Sequence, residues 1–155
     1  MRLRFLWPGP TKNADVRGLQ DQYLRKIGRL ATWELVETKG ARGLSESSAA
    51  KILDIEAQGL EKHLANDYII CLFDKGKEMN SEELAVFLDT VTGESARPIA
   101  FVVGGFLGLA DRLLRKAQTR LSLSRMTLSH ELCRVVLLEQ VYRSLSIMKG
   151  RRYAK

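Results

Sequence analysis

The run of consecutive apolar residues YIICLF, residues 68–73, constrains the fold of this chain more than any other feature. Such a run is typical of a strand in the middle of a parallel sheet, where helices cover both faces. Along the rest of the chain, strand-like runs alternate with segments that have helical periodicity. This alternation predicts an α/β fold, with a mostly parallel sheet flanked by helices.

The other elements follow from periodicity and end signals. RLRFLW, TWELVET and PIAFVV predict three more strands, and TRLSLSRMTL predicts a last strand or a strand-like loop. Apolar residues at helical spacing predict helices in residues 13–30, 49–65, 109–117 and 130–148. Asn80, followed three residues later by Glu83, predicts the capped start of a further helix. Nothing divides the chain, so we predict a single domain over residues 1–155.

Composition narrows the class of protein. Hydrophobic residues make up 45% and charged residues 28% of the 155 residues, as in soluble globular proteins with a proper core. No apolar run approaches the roughly 20 residues that cross a bilayer, and the apolar stretch near the N-terminus is too short for a signal peptide. We therefore expect a cytoplasmic protein. Two cysteines and two histidines exclude a disulfide framework and predict no metal site.

The net charge of +7 is concentrated in the last third of the chain. Residues 112–155 contain eleven basic and two acidic residues, a net charge of +9. The remainder contains 14 basic and 16 acidic residues, a net charge of −2. A segregated basic surface favours a polyanionic partner, most simply nucleic acid. A basic face that serves solubility alone is the alternative.

The stretch FVVGGFLGL, residues 101–109, ends an apolar run on Gly104, Gly105 and Gly108. Glycine suits positions where the backbone turns at positive φ or comes close to a ligand. The order differs from the Gly-x-Gly-x-x-Gly dinucleotide fingerprint, and the chain has neither a phosphate-binding loop nor a Gly-x-Ser-x-Gly nucleophile motif. A ligand held by backbone and apolar side chains remains, and S-adenosylmethionine is one such ligand.

Three motifs in the C-terminal part carry a resemblance to a known family: GGFLGL, LSRMTLSH and RVVLLEQVYR. RLRFLWPGP at the start and CLFDKGK in mid-chain extend the resemblance over the whole chain. The chain closely resembles the RlmH family of SPOUT-class RNA methyltransferases. That family methylates the N3 position of a pseudouridine in large-subunit (23S) ribosomal RNA.

The resemblance implies a SPOUT-type fold, in which the C-terminal segment is threaded into a trefoil knot, an exception to the usual unthreaded connections. It also implies a homodimer with the active site at the subunit interface, and a substrate on the assembled ribosome. The implied cofactor is S-adenosylmethionine. The cofactor contacts that carry over are Leu72, Gly104, Leu123, Ser124, Arg125, Met126, Thr127 and Leu128.

The implied reaction needs a proton acceptor, because a pseudouridine N3–H must lose its proton when the nitrogen takes the methyl group. His130, directly after the cofactor loop, is the candidate catalytic base by residue type, although a structural role at the start of a helix is equally open. Tyrosine can stack on a base, and arginine can pair with phosphate. The predicted substrate contacts are Arg134, Tyr142, Arg143, Arg152 and Tyr153.

The chain departs from the family pattern at three positions. Ser129 stands where members usually carry proline, Ala154 where they usually carry a tail histidine, and Phe106 is bulkier than expected in the glycine turn. Two alternatives therefore stay open. One is a non-catalytic ribosome- or RNA-binding relative that keeps the fold, and the other is a methyltransferase that acts on another RNA position.

Overall fold

A computed structural model describes residues 1–41 and 48–150 of the chain. Within these residues, five strands alternate with five helices, which confirms the predicted α/β class. The strands are β1 (Arg2–Pro8), β2 (Thr32–Thr38), β3 (Tyr68–Glu78), β4 (Ile99–Val102) and β5 (Thr119–Ser122). The helices are α1 (Ala14–Ile27), α2 (Ala49–Glu61), α3 (Ser81–Glu94), α4 (Asp111–Lys116) and α5 (His130–Met148).

The five strands form one parallel sheet in the order β2-β1-β4-β3-β5. The strands β1, β4 and β3 occupy the centre, and Phe101 of β4 lies in register with Phe5 on one side and Ile70 on the other. The rings of Phe5 and Phe101 stack with their centroids 5.7 Å apart. The YIICLF run is therefore a central strand that is covered on both faces, as its composition predicts.

Helices cover the two faces of the sheet unequally. Side chains of α1, α3 and α5 pack with Leu3 and Phe5 of β1 in one apolar cluster, whereas side chains of α2 and α4 pack with Leu6 in the other. Successive side chains of a strand point to opposite faces, so a single strand contributes to both clusters. The sheet is consequently the middle layer of three.

Side chains at helix starts satisfy backbone N–H groups that have no partner within the helix. Asn80 and Glu83 form the predicted capping box at the start of α3. The side chain of Asn13 accepts hydrogen bonds from backbone N–H groups at the start of α1. Ser129 caps α5, because its hydroxyl accepts from the backbone N–H of Leu132 at 3.4 Å. The serine that departs from the family pattern therefore helps to begin the longest of these helices.

The strand β3 runs five residues beyond the predicted 68–73. These additional residues are mostly polar, and they pair with the edge strand β5 across an irregularity in register between Leu72 and Lys77. A Cβ on Gly76 would lie 2.6 Å from the carbonyl oxygen of Arg120. The extension thus depends on two backbones that approach more closely than a side chain allows.

We expect Gly76→Ala to destabilise the fold by about 2 kcal/mol or more, because the added methyl group meets backbone atoms that cannot rotate away. The matched control is Gly93→Ala in α3, where a Cβ would meet no atom within 4 Å. That change is expected to stabilise the fold by about 0.5 to 1 kcal/mol, through helix propensity and the entropy of the unfolded chain. Urea unfolding measures both, and equal effects at the two positions would contradict the close backbone contact.

Candidate functional site

A cavity of about 540 Å³ lies at the edge of the sheet where the parallel strands end. Three segments line it: the end of the apolar run in β3, the turn that follows β4, and the segment that leads from β5 into α5. Ligands of open α/β sheets bind outside the carboxyl ends of the strands. The position of the cavity therefore fits a binding site.

The turn after β4 is built from glycines whose backbones touch. Gly105 and Gly108 form an isolated antiparallel bridge, and the N–H of Gly108 donates to the carbonyl oxygen of Gly105 at 3.0 Å. Gly108 adopts a φ of +79°, which side chains disfavour. A Cβ on Gly104 would lie only 2.4 Å from the carbonyl group of Gly108. The backbones at positions 104 and 108 can therefore contact each other only with glycine at position 104.

The segment after β5 is held by hydroxyl groups. The Oγ of Ser122 lies 3.0 Å from the carbonyl oxygens of both Asp74 and Ser124, which joins the loop to β3. The Oγ of Ser124 in turn accepts from the backbone N–H of Met126 at 2.9 Å. The Met126 side chain is 77% exposed although it lines the cavity. An exposed apolar side chain at the rim of a cavity is suited to contact a ligand.

Seven of the eight predicted cofactor contacts line this single cavity. The exception is Arg125, whose exposed guanidinium lies 3.4 Å from Glu78. Sequence reasoning assigned no cofactor contact to several other lining residues, which include Phe73, Asp74, Val103, Gly105, Phe106, Leu107, Gly108, Leu109, Leu121, Ser129 and Cys133. Most are immediate neighbours of predicted residues, so extending each motif by a few positions would have found them.

His130 begins α5 and is half-buried in the wall of the cavity. Burial lowers its pKa below the ordinary value, and the charge of Arg134 lowers it further, against an opposing effect of Glu131. The imidazole is therefore neutral near pH 7 and able to accept a proton. Cys71 and Cys133 are free thiols, as predicted, and burial raises their pKa values to about 12 and about 11.

The structure places Arg134 inside the protein, with 1% of its surface exposed. Its guanidinium donates to the hydroxyl of Thr11 at 3.0 Å and to the carbonyl oxygen of Pro8 at 3.1 Å, and it lies over the ring of Trp7. Burial lowers its pKa to about 10, so it remains charged at neutral pH. The prediction that Arg134 contacts substrate is not supported by this placement, because protein groups enclose the side chain.

Tyr142 and Arg143, two further predicted substrate contacts, are not among the residues that line the cavity. The ring of Tyr142 lies 6.4 Å from that of Tyr23 in α1, and Arg143 pairs with Glu139 at 2.9 Å. Both residues are half-buried on α5, three turns beyond His130. Arg152 and Tyr153 lie outside the described residues. Within the part of one chain that the structure describes, the cavity is therefore separate from Tyr142 and Arg143.

The basic last third of the chain is less basic in space than in sequence. Arg134 is buried, and four more of its cations form salt bridges with acidic residues. These pairs are Arg112 with Asp54 and Glu61, Lys116 with Glu61, Arg125 with Glu78, and Arg143 with Glu139. The net +9 already includes Glu139, but Asp54, Glu61 and Glu78 come from the rest of the chain. The predicted nucleic-acid surface therefore rests on fewer uncompensated charges than that net charge suggests.

The described residues contain neither a candidate metal site nor a membrane-spanning helix. Among residues 1–41 and 48–150, no three His, Cys, Asp or Glu side chains come together in a group that could hold a metal ion. None of the helices in these ranges is long and apolar enough to cross a membrane.

Sequence comparison links the chain to methyltransferases. A family model described as "Predicted SPOUT methyltransferase" matches residues 1–154. A protein from Geotalea daltonii named ribosomal RNA large subunit methyltransferase H is 38% identical over 154 residues, which cover 99% of each chain. The match therefore spans nearly all of both sequences.

Solved structures show the same fold at low identity. A probable methyltransferase from Bordetella pertussis superposes with a TM-score of 0.60 at 18% identity, over 93% of this chain and 96% of that one. The SpoU methyltransferase AviRb from Streptomyces viridochromogenes, solved in complex with AdoMet, gives a TM-score of 0.51 at 12% identity. This second match covers 97% of this chain and 59% of AviRb.

The depressed pKa of His130 predicts a pH dependence of stability. The unfolded histidine titrates at about 6.5 and the folded one lower, so between these values the unfolded state binds more protons. The free energy of unfolding should therefore increase as the pH rises through this window. It should decrease again on acidification. We expect His130→Gln to remove this part of the pH dependence. Urea unfolding between about pH 5 and 7 measures it, and an NMR titration midpoint above 6.5 would contradict it.

Proposed function

This chain belongs to the SPOUT methyltransferase family, and we propose that it is an S-adenosylmethionine-dependent methyltransferase of large-subunit ribosomal RNA. The observation that carries the proposal is the convergence of seven expected cofactor residues, from three distant segments, on one cavity. The full-length match to a relative named for this activity supports the substrate class.

The cavity suits the proposed cofactor in size and chemistry. Its volume of about 540 Å³ is in the usual range for ligand sites of roughly 300 to 1,000 Å³. Leu72, Leu123, Met126 and Leu128 supply apolar surface for an adenine ring and a thioether, and the turn at Gly104 offers backbone groups at close approach. The bound cofactor would supply an electrophilic methyl group on a sulfonium.

The chain itself must orient the substrate and take up a proton. We propose that His130 is the acceptor, because it lines the cavity and burial keeps its imidazole neutral near pH 7. The target that we propose is N3 of a pseudouridine in 23S ribosomal RNA on the assembled ribosome. This finer proposal rests on the resemblance of GGFLGL, LSRMTLSH and RVVLLEQVYR to the RlmH family.

We propose that the chain works as a cytoplasmic homodimer with a knotted C-terminal segment. The helices α1 and α5 pack side by side, and they expose the apolar side chains of Leu19 (45%) and Leu132 (49%). Exposed apolar surface on adjacent helices favours an interface between copies. A second copy would also bring substrate contacts that one chain does not place at its own cavity.

The first test is methyl transfer from labelled S-adenosylmethionine to ribosomes that lack this modification, followed by mapping of the labelled nucleotide. We expect label on N3 of a 23S pseudouridine, and His130→Gln should lower the rate by about 100-fold without loss of cofactor affinity. Gly104→Ala is the control, because its Cβ would overlap the backbone of Gly108 and abolish cofactor binding.

Other outcomes separate the alternatives. Label on a different nucleotide would show that the chain is a methyltransferase that acts on another RNA position. Cofactor binding without transfer, to ribosomes or free RNA, would favour the non-catalytic relative. Failure of the wild-type chain to bind S-adenosylmethionine would overturn the proposed function.

The second test concerns the dimer. Leu132→Glu places a charge on the proposed interface, so we expect it to give monomers that keep cofactor affinity and lose methyl transfer. The matched control is Val86→Glu in α3, a position that is 67% exposed and lies outside the α1–α5 surface. Sedimentation equilibrium measures the oligomeric state. A dimer that survives Leu132→Glu and dissociates with Val86→Glu would place the interface elsewhere.

A further inference from the structure

Three buried side-chain atoms in the described part of the chain have no hydrogen-bond partner: Thr38 Oγ1, Glu56 Oε2 and Arg134 Nε. Glu56 in α2 stands out, because it is a carboxylate with only 8% of its surface exposed. A buried charge without a partner is costly, and proteins usually pair or neutralise it. The burial of the Glu56 carboxylate therefore requires an explanation.

Glu56 lies directly beneath the glycine turn of the cavity. Its Oε2 is 2.7 Å from the position that a Cβ on Gly105 would take, and Gly105 lines the cavity. Glu56 itself does not line the cavity, so its carboxylate contacts the cavity wall from behind, at Gly105. A ligand that contacts the turn at Gly105 would thus interact with this charge across the turn.

Cations of the protein compensate the negative charge of Glu56 only in part. Burial raises its pKa, and Arg134 opposes this rise only in part. Arg134 has other partners, since it donates to Pro8 and Thr11, and Glu131 acts on it more strongly than Glu56 does. No salt bridge of Glu56 exists among the described residues. A positive charge in the cavity would offset the cost of burying it.

We propose that Glu56 makes this cavity select positively charged S-adenosylmethionine over its neutral product, S-adenosylhomocysteine. The inference rests on the proposed function. The two molecules share the adenosine, the ammonium and the carboxylate, and differ by one methyl group and the sulfonium charge. A fixed carboxylate in a poorly solvated place attracts that charge strongly, because little water screens it. Transfer of the methyl group removes the attraction, so the product leaves the site more readily than the cofactor.

The test is calorimetric titration of the wild-type chain and of Glu56→Gln with each of the two molecules. We expect the variant to lose about ten-fold or more in affinity for S-adenosylmethionine, and less than about two-fold for S-adenosylhomocysteine. The matched control is Asp89→Asn, which removes the same charge from an exposed residue of α3 that does not line the cavity. Water screens that carboxylate, so the control should change neither affinity by more than about two-fold.

Thermal unfolding shows whether Glu56→Gln is folded and how its stability compares with that of the wild-type chain. Glutamine has nearly the shape of glutamate and no charge, so Glu56→Gln should raise the melting temperature. A lowered melting temperature would mean that the carboxylate stabilises the fold, which contradicts the inference. Equal loss of affinity for both molecules, or no loss for either, would also overturn it. A wild-type chain that binds neither molecule would contradict the proposed function itself.

Discussion

The buried guanidinium of Arg134 is the interaction on which the geometry of the site depends. It joins the first turns of α5 to the end of β1 and to the segment before α1, through Pro8 and Thr11. The same turns carry His130 and Cys133 to the cavity. Burying a cation is costly, and the two hydrogen bonds together with the ring of Trp7 offset that cost. An arginine in this place aligns a helix rather than binding a polyanion.

Backbone proximity, more than side-chain chemistry, shapes the cavity. The turn from Gly104 to Gly108 folds back on itself at distances that exclude a Cβ, and Gly76 lets β3 and β5 approach in the same manner. Where a side chain is absent, a buried charge can lie against the backbone of the turn. Glu56 is such a charge, and the proposed preference for a cationic cofactor follows from its position beneath Gly105.

Charge that is segregated along a chain is not always segregated in space. The last third of the sequence is strongly basic, yet Arg112 and Lys116 turn towards Glu61 in α2, and Arg134 turns inward. Folding brings acids from the first part of the chain to cations of the last part. The net charge of the molecule, +7, still favours a polyanionic partner.

Local rules alone determined much of this protein. The apolar run in β3, the capping box of Asn80 and Glu83 and the bounds of α5 were all predicted, because each depends on neighbours a few residues away. The resemblance of short motifs likewise led to seven residues of the cavity. Tertiary structure decided strand order, the burial of Arg134 and the exposure of Arg125. Packing between segments far apart in sequence decides which arginine is exposed to water. It also decides which carboxylate is buried against a turn, as Glu56 is against Gly105.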